Sequence, residues 1–373
     1  MPEEDRISPD SIHTMHYAPT TPSTLKEESV SLIEAVPGNG VKITRKPLGP
    51  LGDQEVEIAP QFSFISAGTE LTTIRHHLKA EPGAARSAPL GYSQSGIVCR
   101  SGRMVTGLKP GDRVVAIGAG AYHANRTVVA KNLVLPLPDA VSFEEASMMA
   151  MLCFALEGVY KAGSRIGDNV AVLGAGMMGQ ITARLFHLSG CRVAVLDSNP
   201  HRLELLPSGI DRHLATEEGW KQLGRSTRPY GIEIVSVCFG GDATESVDKI
   251  KPLMSRSPDG IPHGRIIFPG GARLTVLMAS NMGNIQLISS AKAGPGYRDP
   301  VYEAGGDYPS AYVPKTVRRN VETLLSLICN RQLGDLDRLI THRIPFSEAE
   351  RAYELLETPE PTALGVLLDY RGA

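Results

Sequence analysis

The residues most capable of chemistry lie in a glycine-rich turn between a short apolar run and a helical pattern. Residues 170–173 are apolar, a G-x-G-x-x-G sequence follows, and the helical pattern continues to about residue 188. In such a turn the first glycine permits a tight bend, the second lets a pyrophosphate approach the backbone, and the third lets the helix pack closely on the sheet. The helix N-terminus also offers free N–H groups to phosphates. The predicted dinucleotide contacts here are Gly174, Gly176, Met177, Met178 and Gly179.

An acidic residue at the end of the next apolar run indicates which dinucleotide binds. Asp197 closes this run, which begins at residue 191, and a carboxylate at this place accepts hydrogen bonds from the adenosine ribose. The same carboxylate repels a 2′-phosphate, so the sequence favours NAD over NADP as cofactor. Arg202 lies near the same corner and is either a partner for such a phosphate or an exposed charge in the first turn of a helix.

Further cofactor contacts are expected at the carboxyl ends of later strands, where open parallel sheets bind their ligands. Apolar runs alternate with helical patterns, as expected of a doubly wound sheet. These runs are residues 170–174, 191–196, 232–238, 265–269 and 286–289. The cofactor contacts expected at their ends are Cys238, Phe239, Phe268 and Gly270.

The chain before this region has a different pattern. Short alternating runs separated by turn residues, from residue 26 to about 138, predict a mostly antiparallel β domain. Ser142 and Glu145 have the spacing of a capping box and begin a helix that is apolar nearly all round. We therefore expect a loosely docked or disordered tail over residues 1–25, an antiparallel catalytic domain over 26–145, a dinucleotide-binding domain over 146–295, and a C-terminal return to the catalytic domain over 296–373.

Composition excludes several classes of function. The 373 residues carry 38 Lys and Arg against 40 Asp and Glu, a formal net charge of −2, so there is no basic field for nucleic acid or an anionic membrane surface. The longest apolar stretch, residues 146–160, is interrupted by Glu157 and is too short to span a bilayer. The five cysteines form no C-x-x-C pair, and the first residues are acidic, which together favour the cytoplasm.

Several stretches together resemble the medium-chain dehydrogenase/reductase superfamily over about residues 26 to 373. These stretches are Ile65-Ser-Ala-Gly-Thr-Glu-Leu71, Leu90-Gly-Tyr-Ser-Gln-Ser-Gly-Ile-Val98, Val105-Thr-Gly-Leu-Lys-Pro-Gly-Asp-Arg-Val114, the glycine-rich turn and residues 339–355. The resemblance implies an α/β protein with a GroES-like antiparallel catalytic domain and a Rossmann domain with a doubly wound parallel sheet. It also implies NAD(P)-linked oxidoreductase activity on a small molecule, and a homodimer in which the strand near residues 284–288 extends the sheet across the axis.

The chain departs from the zinc-dependent members of this superfamily at the residues that would hold the metal. Their Cys-Gly-Thr-Asp is Ala-Gly-Thr-Glu here at residues 67–70, and their Gly-His-Glu is Gly-Tyr-Ser at residues 91–93. Zinc needs three or four nitrogen, sulfur or oxygen ligands that converge on one point. The resemblance therefore implies a zinc-free enzyme, similar to a branch that includes sugar, cyclitol and bacteriochlorophyllide-type dehydrogenases.

Without zinc, side-chain donors must stabilise and protonate the oxygen that gains charge during hydride transfer. Tyr92 occupies a former ligand position and is either the acid/base or a core residue that fills the vacated metal cavity. Thr69 takes the place of the family's hydroxyl relay and bonds either the substrate oxygen or the cofactor ribose. Glu70 is either a titrating buried acid or a structural partner for an arginine. His123 is either a proton shuttle or a structural histidine.

The loop over residues 296–308 mixes donors, acceptors and aromatic faces that suit a polyhydroxylated substrate, unless it only caps the sheet or joins a dimer. The candidate substrate contacts in it are Tyr297, Arg298, Tyr302 and Tyr308. The sequence thus favours a zinc-independent NAD(H)-dependent alcohol dehydrogenase or ketone reductase that acts on a secondary hydroxyl of a sugar- or cyclitol-like metabolite. Two alternatives stay open: an NADPH-dependent enoyl or quinone reductase, and a catalytically silent relative that binds dinucleotide.

Overall fold

The computed structural model describes residues 29–81, 85–358 and 363–372, so the tail predicted over residues 1–25 lies outside the described residues. The strands of the first part of the chain are β1 (Ser29–Val36), β2 (Gly40–Pro47), β3 (Glu55–Phe64), β4 (Ala88–Pro89), β5 (Ser93–Ser101), β6 (Arg113–Ile117), β7 (Thr127–Ala130) and β8 (Val134–Pro136). The later strands are β9 (Asn169–Leu173), β10 (Arg192–Asp197), β11 (Asp211–Leu214), β12 (Ile234–Val237), β13 (Gly241–Asp242), β14 (His263–Phe268), β15 (Ala272–Arg273), β16 (Asn284–Ser289), β17 (Ile340–Pro345) and β18 (Gly365–Asp369). The α-helices are α1 (Ala67–Leu78), α2 (Phe143–Ser147), α3 (Met149–Ala162), α4 (Met177–Leu188), α5 (Pro200–Glu204), α6 (Glu217–Ser226), α7 (Thr244–Ile250), α8 (Pro300–Glu303), α9 (Val317–Cys329) and α10 (Ala349–Glu357).

The first part of the chain forms the expected mostly antiparallel layers, in which the pair of β17 and β18 is parallel. Strands β17, β18, β3, β5, β6 and β8 follow one another in one sheet, and β7 also pairs with β3. The chain returns to this sheet at its C-terminal end, because β18 pairs antiparallel with β3. Here Leu367 lies opposite Phe64, and both side chains are buried. A smaller sheet in the order β2, β1, β4 packs beside it.

The parallel sheet has the order β11, β10, β9, β12, β14, β16, and each pair of neighbouring strands in it is parallel. The order turns from descending to ascending between β9 and β12, which creates a crevice at the carboxyl ends of these strands. An α/β protein with an antiparallel sheet and a Rossmann sheet is thereby confirmed. Strand β11 was missed because its sequence, Asp-Arg-His-Leu, has no apolar run and lies at the edge of the sheet.

The apolar helix predicted after Ser142 is two helices, α2 and α3, separated at Met148. The capping box is confirmed: the Ser142 hydroxyl accepts the Glu145 N–H at 3.1 Å, and the Glu145 carboxylate accepts the Ser142 N–H at 3.1 Å. Helix α3 packs against α4 and α9, and its side chains join a hydrophobic core that includes residues of both large sheets. This shared core fixes how the two sheets face each other across the crevice.

Within the described ranges, no helix combines the length and the apolar character that crossing a membrane requires. All five cysteines carry free thiols.

Candidate cofactor and substrate cleft

A cleft of about 1430 Å³ lies between the two large sheets, at the carboxyl ends of the parallel strands. Its walls come from the start of α1, the turn before β5, helix α3, the glycine-rich turn, the ends of β12, β14 and β16, and the segment after β16. The predicted site residues that line it are Thr69, Tyr92, Gly176, Met177, Met178, Arg202, Cys238, Phe239, Phe268, Gly270, Tyr297 and Arg298.

The glycine-rich turn has no room for side chains at its two outer glycines. Gly174 has φ +97°, a conformation that favours glycine. A Cβ atom at Gly179 would lie 1.8 Å from the Gly174 carbonyl oxygen, so the close contact of helix and strand requires glycine there. Asp197 supports the turn, since its carboxylate accepts the Ala175 N–H at 2.5 Å and the Asn199 N–H at 2.7 Å. Asp197 is half-buried, and neither it nor Gly174 and Gly179 is among the residues that line the cleft; each carboxylate oxygen keeps a further lone pair that could accept a ribose hydroxyl at the margin of the cleft.

Other glycines in the cleft are not explained by the packing of the protein itself. A Cβ atom at Gly176, Gly270 or Gly271 would meet no heavy atom within 4 Å, and none of the three has a positive φ. Open space in front of a glycine backbone suits a ligand that lies directly against it. The cleft therefore fits an extended dinucleotide that passes from the turn to the ends of β12 and β14.

Arg202 is not the exposed helix charge that the sequence allowed. The residue is half-buried, lines the cleft, and its Nε atom is buried without a partner among the described residues. Sequence reasoning missed Gln180, whose buried side chain donates to the carbonyl oxygens of Arg202 (2.6 Å) and Ala175 (3.2 Å). Gln180 thus ties the glycine-rich turn to the corner that carries Arg202. Its one sequence signal is a polar residue on the buried face of an apolar helix.

Tyr92 and Thr69 meet at the other side of the cleft. Burial raises the pKa of the Tyr92 phenol to about 12, although hydrogen bonds with the Ser66 and Thr69 side chains oppose the rise. The phenol is consequently protonated at neutral pH and acts as a hydrogen-bond donor. The Tyr92 ring packs edge-to-face on Phe154, with 5.9 Å between ring centroids. Sequence reasoning missed Ser66 and Phe154, which come from different elements.

The residues that replace the zinc ligands of the superfamily have other contacts. The Ser93 hydroxyl donates to the Ser147 carbonyl oxygen at 2.6 Å and accepts the Ala150 N–H at 3.0 Å, so it joins β5 to helices α2 and α3. Ala67 offers only a methyl group to the cleft. Across the described part of the chain, no group of three His, Cys, Asp or Glu side chains is arranged to hold a metal ion.

Glu70 and His123, expected in the site, are instead buried behind it. The Glu70 carboxylate accepts the Ser66 N–H at 2.7 Å and the Tyr353 hydroxyl at 2.6 Å, and it lies 3.1 Å from His123 Nε2. The other ring nitrogen of His123 lies 2.7 Å from the Ser63 hydroxyl. Neither Glu70 nor His123 lines the cleft, so the prediction that either exchanges a proton directly with a substrate is wrong. The two residues lie behind Ser66 and Thr69 and can only position them.

Tyr302 and Tyr308 also lie outside the cleft lining, which corrects their assignment as substrate contacts. Their rings stack with 5.3 Å between centroids and an interplanar angle of 14°. Tyr302 is buried, and the Tyr308 hydroxyl donates to the Asp299 carboxylate. Asp299 in turn accepts the Val301 N–H at 2.9 Å and begins α8. The two tyrosines therefore form the interior of the loop whose neighbouring residues, Tyr297 and Arg298, face the cleft.

Comparison with known proteins agrees with this geometry. The family of the 3-hydroxyacyl-CoA dehydrogenase NAD-binding domain matches residues 169–240. Sorbitol dehydrogenase of Mus musculus is 23% identical over 88% of this chain and 93% of its own length. D-xylulose reductase of Morganella morganii is 23% identical over 83% of this chain and 92% of its own length. The zinc-dependent alcohol dehydrogenase 2 of Streptococcus pneumonia superposes with a TM-score of 0.73 over 93% of this chain and 99% of its own, at 16% identity.

Fold and sequence similarity together support the medium-chain alcohol and sorbitol dehydrogenase superfamily for this chain. They support an oxidoreductase of the medium-chain type with an NAD(P)-binding Rossmann domain.

Proposed function

We propose that this protein is an NAD(H)-linked dehydrogenase that interconverts a secondary alcohol and a ketone on a polyhydroxylated small molecule. One observation carries the proposal: the glycine-rich turn and the Tyr92–Thr69–Ser66 group of hydroxyl donors face the same cleft. The names of the relatives, sorbitol dehydrogenase and D-xylulose reductase, support a polyol as the class of substrate. The Asp197 carboxylate supports NAD over NADP, because a 2′-phosphate beside it would be repelled.

In the proposed reaction, each side chain of the cleft has a separate role. The nicotinamide ring, when bound, supplies or accepts the hydride. Tyr92 donates a hydrogen bond to the substrate oxygen and holds the proton that the oxygen gains in reduction. Thr69 and Ser66 orient the phenol, and Phe154 beside it excludes water from one side of the reacting oxygen.

We further propose that the reaction does not use zinc, which distinguishes this chain from the zinc-dependent members of the superfamily. Two features support the proposal: a methyl group at Ala67 and the double hydrogen bonding of Ser93 into the backbone of α2 and α3. Neither side chain is a zinc ligand. The Tyr92 phenol takes over the role of the metal, because a donor at the substrate oxygen stabilises the developing negative charge.

We also propose a homodimer that forms through β16, the last strand of the parallel sheet. The strand sequence, Asn-Ile-Gln-Leu-Ile-Ser, carries no charge that would protect an exposed edge. Leu277 and Met278, which precede the strand in the chain, are 77% and 76% exposed. The cytoplasmic location inferred from the sequence stays a prediction.

Turnover and metal content test the proposed function together. The purified protein is expected to reduce NAD with a sugar alcohol such as sorbitol, to prefer NAD to NADP, and to keep full activity after dialysis against a chelator. Elemental analysis is expected to find no stoichiometric zinc. Reduction of an enone with NADPH but no oxidation of any alcohol would instead select the enoyl reductase, and tight NADH binding without turnover would select the silent relative.

A further inference from the structure

A guanidinium without a carboxylate partner lies on the substrate side of the cleft. Arg298 lines the cleft, and its Cζ atom lies 5.7 Å from the centre of the Tyr297 ring. Within residues 29–81, 85–358 and 363–372, no carboxylate forms an ion pair with this guanidinium. The nearest acidic contact is to its backbone, because the Glu303 carboxylate accepts the Arg298 N–H at 2.9 Å. Another arginine of the cleft, Arg75, is paired with Glu357 at 3.6 Å.

The backbone holds Arg298 in a conformation that residues other than glycine rarely adopt. Its φ is +58°, and among the described residues Arg331 is the one other non-glycine residue with a positive φ. The two arginines differ in their side-chain contacts, since Arg331 forms an ion pair with Glu145 at 2.6 Å outside the cleft. Strained backbone that persists without a structural role for the side chain is frequent at ligand-binding positions. Arg331 thus has an ionic partner, whereas the Arg298 guanidinium contacts only the neighbouring Tyr297, through its ring and a side-chain hydrogen bond, and no carboxylate among the described residues.

Hydrogen bonds and ring stacking hold the loop around Arg298 in one conformation. The Asp299 carboxylate accepts the Val301 N–H and the Tyr308 hydroxyl, and the Tyr308 ring stacks on the buried Tyr302. These contacts hold Asp299, which directly follows Arg298. The Glu303 carboxylate holds the backbone N–H of Arg298 itself. The guanidinium is therefore presented to the cleft from an ordered base.

A row of aromatic rings connects Arg298 to the reacting end of the cleft. The Tyr92 and Phe154 ring centroids are 5.9 Å apart, and those of Phe154 and Tyr297 are 5.7 Å apart, both edge-to-face. The guanidinium follows as the next member of the row, 5.7 Å from Tyr297. A substrate that places a hydroxyl beside Tyr92 and extends along this wall points its other end towards Arg298.

We propose that the natural substrate carries an oxyanion, either a carboxylate or a phosphate ester, that Arg298 binds while a secondary hydroxyl of the same molecule lies beside Tyr92. The inference rests on the proposed function and narrows its substrate from a neutral polyol to an acidic one. The planar guanidinium matches the two oxygens of such a group with parallel N–H donors, whereas a neutral hydroxyl accepts one of them. Arg298 is exposed and has no carboxylate partner among the described residues, so its N–H donors are available to an oxyanion of the substrate.

Three probes of similar carbon skeleton test the inference with NAD as cofactor: neutral sorbitol, gluconate with a carboxylate, and sorbitol 6-phosphate with a phosphate ester. We expect kcat/KM for at least one of the two anions to exceed that for sorbitol by about tenfold or more. The anion with the higher kcat/KM shows whether the oxyanion of the substrate is a carboxylate or a phosphate ester. A wild-type enzyme that prefers sorbitol to both anions would overturn the inference while the proposed dehydrogenase function stands.

Arg298→Ala is expected to raise the KM of the preferred anion by about tenfold or more, a clearly larger factor than for sorbitol, while KM for NAD stays within twofold of wild type. Arg298→Lys keeps the positive charge but not the two parallel N–H donors of the guanidinium, so its KM for the anion is expected to lie between those of the wild type and Arg298→Ala. Arg331→Ala is the matched control, because it removes an arginine with the same backbone conformation outside the cleft. An equal loss for anion and sorbitol in Arg298→Ala, or the same change in Arg331→Ala, would contradict substrate binding by Arg298.

Calorimetric titration of the NADH-bound protein separates this inference from the proposed function. If no probe is oxidised, the proposed polyol dehydrogenase function fails, and binding alone decides the role of Arg298. Binding of gluconate or sorbitol 6-phosphate that is lost in Arg298→Ala supports the oxyanion site. Absence of binding, or equal binding to the wild type and the variant, overturns it.

Discussion

At the scale of single residues, the chemistry depends on what burial does to Tyr92. The phenol is held in a partly apolar pocket against Phe154, and its pKa is raised to about 12 because water no longer solvates the phenolate. The phenol is therefore protonated at neutral pH, as the proposed role of Tyr92 as proton donor requires. The direction of the shift has a kinetic consequence, because reduction uses the protonated form and oxidation uses the ionised form.

Tyr92→Phe is expected to lower kcat in both directions by about 10²- to 10⁴-fold, the usual contribution of a positioned acid/base. KM for NAD is expected to stay unchanged. In the wild type, reduction should be independent of pH through neutrality, and oxidation should accelerate with pH below about 12, because the ionised fraction rises. Steady-state rates against pH check both, with the exposed Tyr312→Phe as the control. Activity of Tyr92→Phe within threefold of wild type would rule out the phenol as proton donor.

At the scale of elements, glycines at or beside the cleft are required for two different reasons. Gly179 is required by the contact between α4 and β9, since its Cβ position is already occupied by a carbonyl oxygen. Gly270, at the end of β14, has free space in front of it and an ordinary backbone. Packing explains the first glycine, and the open space at the second suits a bound cofactor.

Substitution separates these two roles. Gly179→Ala is expected to lower the free energy of unfolding by about 1–3 kcal/mol, because the new methyl group must displace the backbone. Gly270→Ala is expected to leave that free energy within about 0.5 kcal/mol of wild type, while weakening NADH binding about tenfold. Gly49→Ala is the control for the second variant, because Gly49 has equally free space but lies outside the cleft. Denaturant unfolding and NADH fluorescence titration measure the two effects, and unaltered NADH affinity in Gly270→Ala would contradict a cofactor at the end of β14.

At the scale of the whole molecule, the parallel sheet leaves two edges, and they differ in character. The β16 edge is uncharged, and the exposed apolar residues Leu277 and Met278 precede it in the chain. The β11 edge is short and carries Asp211 and Arg212. Charge on an edge strand opposes pairing with another chain, so β16 is the edge that suits a second copy.

Leu287→Lys on β16 is expected to convert a two-chain particle into single chains, because like charges would face each other across the axis. Leu214→Lys on β11 places the same charge on the opposite edge, at a residue of similar exposure, and is expected to leave the particle unchanged. Light scattering after size exclusion measures both masses. A wild-type protein that elutes as single chains at micromolar concentration would contradict the proposed dimer.

The sequence by itself determined the parts whose physics is local. The glycine-rich turn, the helix that follows it and the capping box at Ser142 were predicted because consecutive residues set their backbone geometry and hydrogen bonds. The alternation of apolar runs was enough to separate an antiparallel domain from a parallel one. Strand β11 was missed because an edge strand needs no apolar run.

Only the tertiary structure decided which polar side chains reach the cleft. Glu70 and His123 are 53 positions apart, and no local pattern reveals that they satisfy each other behind the site. Tyr302 and Tyr308 share a loop with Tyr297 and Arg298, yet the first pair packs inward and the second lines the cleft. The physical reason is that burial and hydrogen-bond partners are set by contacts between distant segments, and these contacts determine which donors remain free for a ligand.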